Sequence, residues 1–159
     1  MCPQWLVKGA NQPVVAGDPL RVEMEIGANA TPAAMVAGRL VIADTADGTV
    51  KEATTKSKGL IGFLDVDPKK LEATAYAVGD QAMVVQGECF AKLLLLASEN
   101  VVRGDRLVCA ALGKVAKQAV GVLGAQGDIV GLSMEASNVT VDAEILVLFR
   151  PTHEPATAS

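Results

Sequence analysis

A chain of 159 residues with a net charge of −4 is long enough for one domain with a real core, or for one domain with extended arms. Acidic and basic residues are interspersed without a basic stripe, which argues against DNA or RNA as a partner, because that affinity rests on neutralising phosphates. Half of the residues are hydrophobic yet only five are aromatic (Trp5, Phe63, Tyr76, Phe90 and Phe149), so the core is expected from Val, Leu, Ile and Ala, with some apolar surface covered by a partner or by copies of the chain itself.

Residues 1–13 carry Pro3, Gly9, Asn11 and Pro13 around the lone Trp5 and read as an extended arm. Two roles stand open for Trp5: an anchor in a partner's pocket, or a cap on the chain's own barrel. The phrase Gly17-Asp18 then precedes a run, Leu20 to Ile26, that alternates apolar and charged residues, the signature of a half-buried strand. Gly27 to Gly38 is an Ala-rich linker in which Thr31-Pro32 starts a single helical turn ended by Gly38. Strands follow over 38–43, 48–53 and 60–64. Asp67-Pro68 opens a short helix or an exposed turn through Ala73.

A second Gly-Asp, at Gly79-Asp80, precedes the strand Gln81–Gln86, and a third, at Gly104-Asp105, precedes Leu107–Ala110. Gly supplies the positive φ of a tight turn and Asp bonds nearby backbone amides. Cys89–Leu96, Ile129–Met134 and Val141–Phe149 complete the clear strands. Gly121, Gly124 and Gly127 punctuate a loop that fits a spaced-glycine nucleotide pattern only loosely, because strand and not helix follows it. The tail from Pro151 to Ser159 is short, polar and proline-punctuated, and reads as disordered.

A longer echo underlies these elements. Gly38, Gly48 and Gly62 are matched by Gly104, Gly113 and Gly131, at offsets of 66, 65 and 69 residues, with similar apolar runs around each. This predicts two diverged copies of one β unit. The repeated positions are apolar and turn residues, and no set of polar groups repeats with them.

Residues suited to catalysis do not converge. His153 is the only histidine, and it lies in the tail as a solvated bystander beside Glu154. One His and three scattered cysteines (Cys2, Cys89 and Cys109) make no conventional zinc set, and no CxxC spacing occurs. Cys89 and Cys109 fall in apolar strands as buried filler, with no disulfide within the chain. Ser57, Ser98, Ser133 and Ser137 lack a histidine partner, and Asp65 with Asp67 lacks a full cation-ligand series. The expectation is a protein that is not an enzyme, with no cofactor and no metal. No apolar run approaches the roughly 20 residues of a membrane helix, and Met1 to Trp5 shows no signal-peptide pattern.

The order of these phrases, above all Gly104-Asp105-Arg106-Leu107-Val108, Gly113-Lys114-Val115 and the run from Gly127-Asp128 through Ala136, with Glu144 to Phe149 at the end, resembles the capsid cement (head decoration) proteins of tailed bacteriophages. The resemblance covers about residues 36 to 150. It implies a structural virion protein that binds the outer surface of the expanded head, with the major capsid protein and its own copies as partners. A homotrimer is expected and a dimer is the alternative. The chain would be made in the host cytoplasm and located on the head exterior, with neither nucleic acid nor membrane as partner. The family supplies no catalytic residues. The long N-terminal segment and the insertion around Asp67 to Tyr76 depart from its pattern.

The expected fold is all-β: a small β-barrel or sandwich built from two related β units, with an extended N-terminal arm. Its parts are residues 1–35 (arm, first strand and linker), 36–150 (the decoration domain) and 151–159 (tail), and Trp5 is the candidate partner contact. Two rival readings remain. A β-clip or biotinyl/lipoyl carrier-like module would display a lysine beside Met at a hairpin tip, whereas Met134 is followed by Glu135 and Met83 by Val84. A β-rich oligomeric enzyme would need a polar cluster shared between subunits.

Overall fold

Alternating apolar residues bounded by positive-φ glycines build eleven strands among the described residues of the computed structural model, which are 13–66, 75–119 and 127–153. They are β1 (Val14–Ala16), β2 (Leu20–Ile26), β3 (Leu40–Ala43), β4 (Thr49–Glu52), β5 (Leu60–Leu64), β6 (Gln81–Gln86), β7 (Cys89–Leu95), β8 (Arg106–Cys109), β9 (Val115–Lys117), β10 (Ile129–Ser133) and β11 (Ala143–Thr152). The protein is all-β. Its only helical pieces among the described residues are 3-10 turns at Pro32–Ala34 and Ala111–Gly113. The first follows Thr31 as the sequence predicts, but ends at Met35 rather than at Gly38.

The strands form two five-stranded barrels of the same topology. In the first, β2-β4-β3-β5-β6 closes on itself. In the second, β7-β9-β8-β10-β11 closes through the parallel pair β7–β9, and β1 is added to the outside of β7. The registers correspond pair by pair. Ile26 opposite Val50 in the first barrel matches Leu95 opposite Val115 in the second. Val41 opposite Gly62 matches Leu107 opposite Gly131, with the ladder shifted at the same place in each. The row Leu40–Phe63–Val85 matches Arg106–Leu132–Leu148. The two predicted β units are therefore real, and each is larger than the glycine echo indicates, since β2 and β6 in one and β7 and β11 in the other complete it.

Tertiary pairing moves the expected domain boundaries. β2, the half-buried strand that the sequence predicts, is hydrogen-bonded on both sides, to β4 and β6, so it is a wall of the first barrel. The linker after it carries Ala30 and Met35 into that barrel's core, so a division at residue 36 cuts through one cooperative unit. β1 leaves the first barrel entirely and pairs with the second, where Pro13 also accepts the Lys92 N–H at 2.7 Å. At the other end Pro151 and Thr152 belong to β11, and Thr152 pairs with Ile129; the tail begins later than expected because the ladder with β10 satisfies this backbone. The arm around Trp5, the segment from Asp67 to Ala73, Gly121 and Gly124, and the tail beyond His153 lie outside the described residues.

Side chains inside the first barrel (Ile26, Met35, Val41, Val50, Leu64, Val84) form one core. The larger core fills the second barrel and extends to the outside wall of the first. Leu40, Leu60, Phe63 and Val85 point outward from their own barrel and are buried with Leu107, Cys109 and Phe149. Phe63 and Phe149 meet edge to face with ring centroids 4.9 Å apart, the arrangement that aligns the positive ring edge with the negative face.

Candidate functional site

All three Gly-Asp phrases are strand-launching turns, as the sequence predicts. Gly17, Gly79 and Gly104 have φ of 104°, 85° and 94°. The Asp80 carboxylate accepts the Ala77 N–H at 2.9 Å and that of Asp105 accepts the Val102 N–H at 2.9 Å. The turns do not mark equivalent places, however, because they precede β2, β6 and β8. They belong to turn chemistry rather than to the repeat. Asp105 also meets Lys117 Nζ at 2.8 Å, and this contact above all lowers its pKa from the ordinary value.

The remaining candidates are held by structural partners. Burial pushes the Cys89 thiol up to about 11 and the Cys109 thiol up to about 12, which keeps both protonated at neutral pH. Ser133 is fully buried and donates to the Glu135 carbonyl at 2.6 Å, while Ser57 closes a turn onto the Thr54 N–H at 2.8 Å. Asp65 pairs with Arg21 at 2.8 Å and accepts the Val66 N–H. Among the described residues no three His, Cys, Asp or Glu side chains are grouped as metal ligands. Cys2, Asp67 and Trp5 are outside the described set.

His153 is exposed to solvent, as the sequence predicts, but it is not without a partner. Its Nδ1 lies 2.7 Å from Oδ2 of Asp128, and the same oxygen accepts the Leu60 N–H at 2.9 Å. Asp128 is buried, and its own N–H donates to the Ser57 carbonyl at 2.9 Å. One carboxylate therefore ties the start of β5 in the first barrel to the end of β11 in the second. The position next to Gly127 carries no sequence signal for this, since its partners are 68 and 25 residues away.

Two surface features adjoin the barrel junction. A cleft of about 260 Å³ lies between Val36–Arg39 of the first barrel and Lys92, Leu94 and Glu144 of the second. Arg39 is held there by donating Nη1 to the Leu112 carbonyl at 2.7 Å. Beside it, the outer wall of the second barrel presents a row that crosses five strands: Ala16, Phe90, Leu148, Leu132 and Arg106 stand opposite one another in turn. Phe90 is 36% exposed, Leu148 and Leu132 are half-buried, and Arg106 is exposed. Val15 and Leu20, both exposed, flank this wall near β1, whose outer edge pairs with no other described strand. Sequence reading misses the row, although strands apolar on both faces, such as Leu93-Leu94-Leu95 and Leu146-Val147-Leu148, are its signal.

No family model matches this chain, and no curated protein matches it. No helix among the described residues is long and apolar enough to cross a membrane.

Proposed function

We propose that this chain is a structural protein of the capsid-decoration class, which binds the outer surface of an expanded phage head and associates with its own copies, a trimer being the expected state. One observation carries the reading: a largely apolar wall on the second barrel, half-exposed among the described residues and bordered by the added strand β1. The chain enters that strand directly from the segment that contains Trp5. Contiguous exposed apolar surface marks interaction sites, and two barrels sharing a core make a stiff body on which to carry one. The repeated elements are walls and turns, in keeping with a role in which the fold itself is the working part. Its effect is thermodynamic: a protein that binds the expanded lattice and not the compact one stabilises the expanded state by its binding free energy.

Co-sedimentation of the purified protein with expanded, undecorated heads tests this reading. Wild type is expected to pellet with the heads and to raise their resistance to heat. Trp5→Ala is expected to keep the β body folded and to bind more weakly, because an arm ordered on a partner needs an apolar anchor to offset its lost entropy. Wild type that ignores such heads overturns the proposal. A Trp5→Ala chain that binds fully removes the arm's role and leaves the rest.

A further inference from the structure

One seam is sealed in the second barrel and open in the first. Ile26 of β2 and Leu95 of β7 hold equivalent places, so Val22, Glu23 and Met24 correspond to Ala91, Lys92 and Leu93. On β7 the strand β1 covers this stretch: Val14 stands opposite Ala91, and the Pro13 carbonyl accepts the Lys92 N–H at 2.7 Å. Ala91 and Leu93 are accordingly 0% and 1% exposed. β2 has no such cover among the described residues, because β4 reaches only Glu25 and Ile26 on that side. Val22 and Met24 are therefore only half-buried, although the alternation of β2 turns them toward the barrel interior with Ile26.

The open stretch has a definite hydrogen-bond phase. Glu25 and Gly27 donate their N–H to the carbonyls of Gly48 and Val50 at 3.2 and 2.8 Å, whereas Ile26 donates at 2.9 Å to Asp80 on the β6 side. Odd-numbered residues of β2 thus aim N–H and C=O at the seam, and those of Arg21 and Glu23 meet no partner among the described residues. The stretch is bounded, since Pro19 has no N–H and the Glu25 N–H is already taken. Arg21 and Glu23 are both exposed on the outer face, with Val22 between them on the inner one. An edge with one sign of charge repels its own copy. This one carries one charge of each sign, flanking a central apolar residue.

We propose that β2 pairs with β2 of a second copy, antiparallel across a two-fold axis at Val22, and that this contact closes the seam. The register follows from the phase. Arg21 comes opposite the second copy's Glu23, and Glu23 opposite its Arg21, as two hydrogen-bonded pairs that supply four backbone bonds. Val22 meets its own counterpart at the close, non-hydrogen-bonded position and is covered on the inner side, as β1 covers Ala91 in the second barrel. Arg21 already meets Asp65 through Nε at 2.8 Å, and its side chain is 35% exposed, so the remaining donors of the guanidinium are left for the facing carboxylate. A two-fold contact buries the same patch on both copies. It adds to the self-association proposed above a contact that works in pairs: alone it gives a dimer, and beside a three-fold contact it gives an even number of chains. No arm of the test uses heads, so failure of the seam contact leaves the decoration reading standing, and failure of head binding leaves the seam contact standing.

Sedimentation velocity of the full chain over the micromolar range, with circular dichroism and amide hydrogen exchange, tests it. Wild type is expected to assemble with an even number of chains and to protect the Glu23 amide. Glu23→Pro removes an N–H that no described residue of the same chain uses, the place where an edge strand accepts proline. It is expected to weaken assembly at least about tenfold with unchanged circular dichroism. Glu23→Arg and Arg21→Glu each set like charges opposite one another and are expected to lose assembly. Mixed in equal amounts, these two are expected to assemble with each other, since every facing pair is again of opposite sign. Should Glu23→Pro or Arg21→Glu fail to fold, Glu23→Arg still decides. A wild type that is monomeric, or that assembles only as an odd-numbered oligomer, overturns the proposal. So does a Glu23→Pro or Glu23→Arg chain that assembles like wild type, and so do folded charge variants that stay apart when mixed. A position-23 amide that remains protected in dissociated Glu23→Arg also overturns it, because the chain would then be closing the seam itself.

Discussion

Single carboxylates do different work in this chain according to what surrounds them. Asp44 accepts the Asn29 side-chain N–H at 2.9 Å and the Asn29 backbone N–H at 3.0 Å, and Lys51 Nζ lies 3.5 Å away. The Asn29 side chain, then its backbone, hold the Asp44 pKa down to about 2. An unfolded Asp titrates at about 3.9, so the folded state prefers the anion and Asp44 stabilises it fully above that value. The contribution is lost as pH falls through about 2. The melting-temperature gap between wild type and Asp44→Asn is therefore expected to be open at neutral pH and to close in acid. A gap that persists at about pH 2 would show that shape rather than charge sets the effect of Asp44. Gly-Asp turns were legible because their partners lie three residues away, whereas Asp128 was not, because its partners are brought to it by two different barrels.

At the scale of an element, a strand's glycine reports how closely the next strand approaches. Gly62 in β5 and Gly131 in β10 hold equivalent places, and an added Cβ would overlap the carbonyl oxygen of Val85 in one and of Leu148 in the other. The Ile-Gly and Val-Gly phrases of the sequence thus mark the point where each barrel wall folds tightly on its neighbour. Gly62→Ala and Gly131→Ala are each expected to cost at least about 2 kcal/mol in urea unfolding, as overpacking against backbone that cannot yield. Gly48→Ala meets open space and has only its φ of 73° to contend with, a penalty of about 1 kcal/mol. Equal costs at all three positions would remove close approach as the reason for the strand glycines.

The whole molecule is held together by an outside wall used as an inside one. Phe63 belongs to the first barrel by chain and to the second by packing, and Asp128 and Cys109 add hydrogen bonds across the same junction. Thermal unfolding is therefore expected as one transition with equal calorimetric and van't Hoff enthalpies. Phe63→Ala should lower the whole transition by about 3–5 kcal/mol, the cost of emptying a large aromatic site. Two separable transitions, or a Phe63→Ala chain that melts only one barrel, would show that the shared core does not couple them.

The amino-acid order alone determined the all-β class, the turn glycines and the two-fold repeat, because these depend on residues close in sequence: a positive-φ glycine, a capping aspartate, an alternation of period two. It left open which strands close each barrel. The parallel partner of β2 is β4, and the antiparallel partner that completes the barrel, β6, is 56 residues further on at the Glu25–Gln81 pair. Only the tertiary structure took β1 away from its own barrel and joined Thr152 to Ile129. It also decided that Phe63 is covered while its counterpart Leu132 is half-open. An outward apolar residue reads the same in sequence whether a neighbouring wall lies over it or not, and burial is set by what arrives from elsewhere in the chain.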